Sequence, residues 1–254
     1  MTLRFTHTDG LVFRVGYSPD PWAWVPWEYA PFTGRWDDPE ALFRTIYAAS
    51  SAEACFIEIL AQFRPDPGLD PDLASIAGCP DDVDYEGSPP GVVGRSWLRE
   101  RRFGSAHITG RFVDVGHSQT IAELRPTFLP LALGSGLPDF DAAAIRIHAP
   151  RELTQSISRH PYGRETADGR LASGVAFGSR YGDDLRLWAL FERDADVGRD
   201  SSHLLRDCRN ESIDPDREAF RRALDLHGLR LETNESGGAG DQTIPHPRSP
   251  GPLP

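Results

Sequence analysis

The thirty residues from Gly34 to Phe63, GRWDDPEALFRTIYAASSAEACFIEILAQF, constrain the fold more than any other part of the chain. Thr45 to Ala49 alternates as a strand does, with Ile46 and Ala48 on one face and Thr45, Tyr47 and Ala49 on the other. Ser50 then reads as a helix N-cap, and Glu53 three residues on completes a capping-box pattern. Cys55, Phe56, Ile59, Leu60 and Phe63 recur at helical spacing and predict the buried stripe. Glu58 falls off that stripe, beside Ala54 and Ala61. By itself such a glutamate is usually a solvated charge. Here it follows a strand tyrosine by one strand-to-helix turn, with Arg35 just upstream.

Earlier in the chain, Leu11 to Val15 reads as a strand with Val12 and Arg14 on one face. Tyr17 to Phe32 is rich in proline and carries Trp22, Trp24 and Trp27. It is expected either to pack over the core through its aromatics or to cover a ligand. Ala106 to Val115 reads as a strand with a bend or bulge at Gly110. Ser118 is placed to cap a helix that Pro126 ends, and Pro150 to start another through about Ser158. Arg99, Arg101 and Arg102 read as a solvated basic face. Val175 and Phe177 alternate in a further strand, which Gly178-Ser179-Arg180 break. Leu185 to Phe191 forms the next strand. A helix follows Asp214-Pro215 and ends at Gly228, with Phe220, Ala223 and Leu224 inward, and Leu229 to Leu231 adds a last strand.

Three stretches together resemble one known family. Gly34-Arg35-Trp36, then Tyr47-Ala48-Ala49-Ser50, then Glu58 are similar to the motifs of the RES domain. RES domains are the toxin components of bacterial RES–Xre toxin–antitoxin pairs. Ser173 to Arg180, SGVAFGSR, resembles the late segment that supplies the family's serine, and Arg14 matches the arginine that opens the domain. The resemblance runs from about Phe13 to about Phe191. Asp37 departs from the family's usual asparagine, and Asp38-Pro39 stand where a glycine is common.

The resemblance implies an α+β chain with the ADP-ribosyltransferase fold, built of mixed curved sheets with flanking helices. The motifs lie far apart and must converge, so one domain over 1–232 is expected, with core motifs within 13–191; repeated prolines predict a loop-rich insertion at about 64–105, and Gly/Pro/Ser-rich composition a disordered tail at 233–254. NAD+ is the implied substrate, with no cofactor besides. Glu58, Tyr47 and Arg35 are the implied catalytic groups. Arg14, Arg35, Tyr47, Ser179 and Arg180 are the implied ligand contacts. The implied reaction breaks the nicotinamide–ribose bond, as a glycohydrolase or, with phosphate, a phosphorylase, and would deplete NAD+ and arrest growth. Transfer of ADP-ribose to a protein or nucleic acid is the alternative, as is an inactive RES-like binding module, which the Asp37 to Pro39 departures favour. An Xre-type antitoxin is the implied partner.

Composition bounds these readings. The chain has 254 residues, a net charge of −11 and a mean hydropathy of −0.43. The negative charge argues against non-specific nucleic-acid binding. All 27 basic residues are arginines, so an anion site must use guanidinium forks, helix N-termini or backbone N–H groups. There is no long apolar run to span a membrane and no signal-peptide pattern at the start. Three widely spaced cysteines, Cys55, Cys79 and Cys208, suit a reduced cytoplasmic protein. No metal is expected, because the histidines and cysteines never fall at ligand spacing. Nucleotide-binding glycine loops, the H-E-x-x-H pattern and the G-x-S-x-G elbow are also absent from the sequence.

Overall fold

The computed structural model describes residues 3–65, 89–147, 151–163, 169 and 171–233. Cys79, the acidic stretch before Pro89, Pro150 and the Gly/Pro-rich tail lie outside the described residues. The architecture is mixed α+β. Its strands are β1 (Phe5–Tyr17), β2 (Thr45–Ala49), β3 (Val92–Val93), β4 (Arg101–Asp114), β5 (Gly174–Gly178), β6 (Arg186–Phe191), β7 (Leu205–Ser212) and β8 (Arg230–Leu231). Its α-helices are α1 (Ala52–Leu60), α2 (Arg95–Arg99), α3 (Ser118–Gly134), α4 (Ala142–Arg146), α5 (Glu152–Tyr162) and α6 (Glu218–His227).

Six strands form one sheet in the order β1-β2-β6-β5-β4-β7, and β1 also pairs with β4. That second pairing runs antiparallel from Phe5↔Val113 to Tyr17↔Arg101. β1 meets β2 at Phe13↔Ala49 alone, so the two strands part beyond that point. The split between them positions the site described below. β3 and β8 form a separate parallel pair.

Strand alternation sorts the core into two clusters. Ile46, Ala48, Ala106, Ile108, Phe112, Ala176, Trp188 and Leu190 bury one face, together with Trp22 and Trp24. Ala49, Phe103, Val113, Val175, Phe177, Leu187, Ala189 and Phe191 bury the other, together with the helices. The proline-rich stretch thus packs over the core through Trp22 and Trp24, while Trp27 remains exposed.

Several expectations need correction. Ser51, not Ser50, caps α1, and its hydroxyl accepts from the Ala54 N–H at 3.0 Å. The Ser50 N–H instead donates to the Arg186 carbonyl, which extends the β2–β6 ladder by one residue. Glu53 pairs with Arg222 of α6. The stripe buried by α1 includes Ile57, whereas Ile59 and Phe63 are half-buried. Helix α3 runs through both Pro126 and Pro130. Both prolines are exposed, so the carbonyls that lose an N–H partner face water. Thr120, Leu124, Phe128 and Ala132, four apart, bury its other side. Within the described part of the loop-rich stretch expected at about 64–105 lie β3, α2 and the first five residues of β4.

Gly110 carries no bulge, since it pairs in register with Thr8. A Cβ there would meet Phe112 and the Ser173 side chain at 2.9 Å, so the glycine serves close packing. The irregularity in β4 falls between Ser105 and His107, against β7. α5 spans Glu152 to Tyr162, about a turn beyond the expected end at Ser158.

Candidate active site

The Gly34–Asp38 turn is built by its own side chains. Asp37 accepts from the Gly34 N–H at 2.6 Å and from the Tyr47 hydroxyl at 2.8 Å. The Tyr47 oxygen accepts in turn from the Trp36 N–H at 2.9 Å. A Cβ on Gly34 would stand 2.4 Å from that phenolic oxygen, so only glycine fits. Burial and the Asp37 charge hold the Tyr47 phenol well above its usual range, so it stays protonated. From outside, α5 clamps the turn. Gln155 donates to the Phe32 and Gly34 carbonyls, and Ser158 donates to the Trp36 carbonyl at 2.6 Å. Asp37 therefore has a structural role, where the sequence marked it only as a departure.

The turn delivers Arg35 toward α1. One amino group of Arg35 donates to the Ile145 carbonyl at 2.5 Å, at the end of α4. Its guanidinium lies 5.6 Å from the Trp36 ring centre and 5.5 Å from that of Phe177. Burial depresses its pKa, and the charge of Glu58 is the largest opposing influence. Its Nε is buried without a hydrogen-bond partner.

Glu58 stands at the centre of the cluster. Burial raises its pKa above the usual carboxylate range. Ser179, then the charges of Arg35, Arg180 and His227, oppose that rise. Ser179 is buried, and its hydroxyl accepts from the Tyr181 N–H at 2.8 Å. Glu58 Oε1 is buried with no hydrogen-bond partner, so the carboxylate keeps an unused acceptor. Arg180 is exposed, with its guanidinium 5.1 Å from the Tyr181 ring centre.

Where β1 and β2 part, Arg14 bridges the gap. Its Nε donates to the Pro21 carbonyl at 2.6 Å and one amino group donates to the Tyr47 carbonyl at 2.8 Å. The split opens into a cavity of about 450 Å³. β1 lines it with Arg14 to Tyr17, β2 with Tyr47 and Ala48, and α1 with Cys55, Glu58, Ile59 and Gln62. Arg101, Phe177 and Leu187 complete the wall, with Val25 and Pro31 from the proline-rich stretch. Burial pushes the Cys55 thiol up to about 12, against the charge of Arg14.

No family model matches the chain, and no curated protein matches it. One solved structure does align: the crystal structure of the M. tuberculosis MbcT–MbcA toxin–antitoxin complex. The match covers 89% of this chain and 92% of that one, at 15% identity and a TM-score of 0.47.

Of the six side chains singled out in the sequence, three line the cavity and three stand near Glu58 without lining it. Arg14, Tyr47 and Glu58 line the cavity, while Ser179, Arg35 and Arg180 act on the Glu58 carboxyl from beside it. Sequence reasoning missed Arg101 and His227. Arg101 is not on a solvated face, since its side chain is 16% exposed and borders the cavity. His227 reaches the Ile57 carbonyl at 2.8 Å from α6. Nothing local in the sequence marks it, because α6 meets α1 only in the tertiary fold.

Among the described residues, no group of three or more His, Cys, Asp or Glu side chains could hold a metal. Nor is any helix among them long and apolar enough to cross a membrane.

Proposed function

We propose that the cleft binds NAD+ and cleaves its nicotinamide–ribose bond, in the manner of the RES domains that the motifs resemble, on an ADP-ribosyltransferase-like fold. The observation that carries this reading is the Glu58 carboxyl. It is half-buried in a cavity wall, with Ser179 and the Arg35 charge favouring its ionised form, and its buried Oε1 has no partner. An unpaired buried acceptor costs stability unless a ligand uses it.

The chemistry follows from that carboxylate. When the ribose C1′–N bond breaks, its electron pair leaves with the nicotinamide nitrogen. The ring departs neutral, so no general acid is needed. Positive charge grows on the ribose C1′ and ring oxygen, and a fixed carboxylate in a dry site stabilises it. Glu58 must be ionised to do this, and Ser179 and Arg35 counteract the burial that would neutralise it. Its free oxygen can accept from a ribose hydroxyl. Tyr47 offers a fixed aromatic face beside it, with its hydroxyl fully occupied. The acceptor oxygen then bonds to C1′ and loses its proton. Water gives ADP-ribose, and inorganic phosphate gives its phosphorylated counterpart.

The biological setting belongs to the same proposal. An enzyme that consumes NAD+ arrests growth unless restrained, and the family resemblance implies an Xre-type antitoxin as the restraint. Release of nicotinamide by the purified chain tests the chemistry. Rescue of growth by a co-expressed antitoxin tests the setting.

A further inference from the structure

We propose that Arg101 is the residue that reads the pyrophosphate of a nucleoside diphosphate in this cleft. The inference rests on the dinucleotide reading above and extends it to the distal half of the ligand.

Arg101 opens β4 and stands opposite Tyr17, the last residue of β1. Its guanidinium lies 4.8 Å from the Tyr17 ring centre and 4.8 Å from that of Trp97. Two rings fix the plane of the guanidinium while leaving its N–H edges for other partners. Those edges are barely used among the described residues. One hydrogen bond reaches the Trp97 carbonyl at 3.5 Å, and the Glu100 carboxylate stands 3.6 Å away. Glu100 is itself 66% exposed, so it competes weakly.

Two arginines line the cavity, and Arg14 spends two nitrogens on backbone carbonyls. Arg101 therefore has the larger unused donor set in the lining. In register, Arg14 stands opposite Gly104, three residues along β4 from Arg101, or roughly 10 Å at strand spacing. The charged lining thus has Glu58 on α1 and a separate cationic station at the end of β1 and β4. A ligand with a cationic ring and an anionic pyrophosphate complements that order. A guanidinium fork suits paired phosphate oxygens, and this chain has no lysine to serve instead.

The test is binding of ADP, which carries the pyrophosphate and no nicotinamide, to the full chain by calorimetry, with adenosine as the control. Wild type should bind ADP and not adenosine. Arg101→Gln should weaken ADP by about tenfold or more. It should also raise KM for NAD+ with kcat within about twofold, and leave turnover of nicotinamide riboside, which lacks the pyrophosphate, unchanged. If Arg101→Gln does not fold, Arg101→Lys decides, with ADP expected to weaken at least about threefold. A folded variant that binds ADP as wild type does overturns the assignment, even if NAD+ is cleaved. Arg101-dependent ADP binding without nicotinamide release sustains it and removes the cleavage reading instead.

Discussion

Ser179, the residue after β5, stands beside the Glu58 carboxyl of α1 and opposes the burial that raises the Glu58 pKa. Its oxygen accepts from the Tyr181 N–H at 2.8 Å. Ser179→Ala should raise that pKa further. Turnover rises with pH as Glu58 ionises, so the acid limb of the pH–rate profile should move to higher pH. At neutral pH kcat/KM should fall by about tenfold. A serine that only shaped the turn would leave the limb where it was.

Glu58 also makes a stability prediction. Its folded pKa lies above the unfolded value, so folding favours the protonated form. The cost of ionisation is absent below the unfolded pKa of 4.5 and complete above the folded one. Glu58→Gln should therefore melt higher than the parent at pH 7, by on the order of 2 °C, and lose that advantage near pH 4. Thermal melts across that range check this. Activity should move the opposite way, falling by at least ~10²-fold.

The Gly34–Tyr47–Asp37 contact predicts two graded losses. Gly34→Ala drives a methyl group into the Tyr47 hydroxyl and should cost about 1–3 kcal/mol. Asp37→Asn keeps one acceptor where the turn uses two, and should cost about 1 kcal/mol. Denaturant unfolding measures both. If Asp37→Asn were as damaging as Gly34→Ala, Asp37 would hold more than the turn.

Cys55 should be inert although it lines the cavity. Burial holds its thiol near 12, so almost no thiolate exists at pH 8. Iodoacetamide should label exposed Cys208 first and reach Cys55 only on unfolding. Peptide mass spectrometry of a time course reads the order directly.

The legible parts of this fold were those where one face carries the signal. β2 alternates cleanly because both its faces are packed by different clusters. The motif residues of the site could be named because they sit in short local patterns. β7 was invisible: Leu205–Ser212 is an exposed, polar edge strand, and among the described residues β4 is its one strand partner. α3 was cut short because proline usually ends a helix, and its tolerance here depends on which side faces solvent. The start of α1 slipped by one residue because two serines stand together, and only the pairing of Ser50 with Arg186 separates them. Arg101 looked like a surface charge because one of its two aromatic clamps, Tyr17, comes from β1, which the chain order does not place beside it.

The central claim is that Glu58 stabilises a ribosyl cation formed from NAD+. The most direct test follows nicotinamide release by purified protein, wild type and Glu58→Gln, with and without inorganic phosphate. The account predicts release by wild type and its loss, by at least ~10²-fold, in a Glu58→Gln protein that remains folded. A dependence of rate on phosphate would name the acceptor. Equal release by both proteins, or none from folded wild type under either condition, would contradict it.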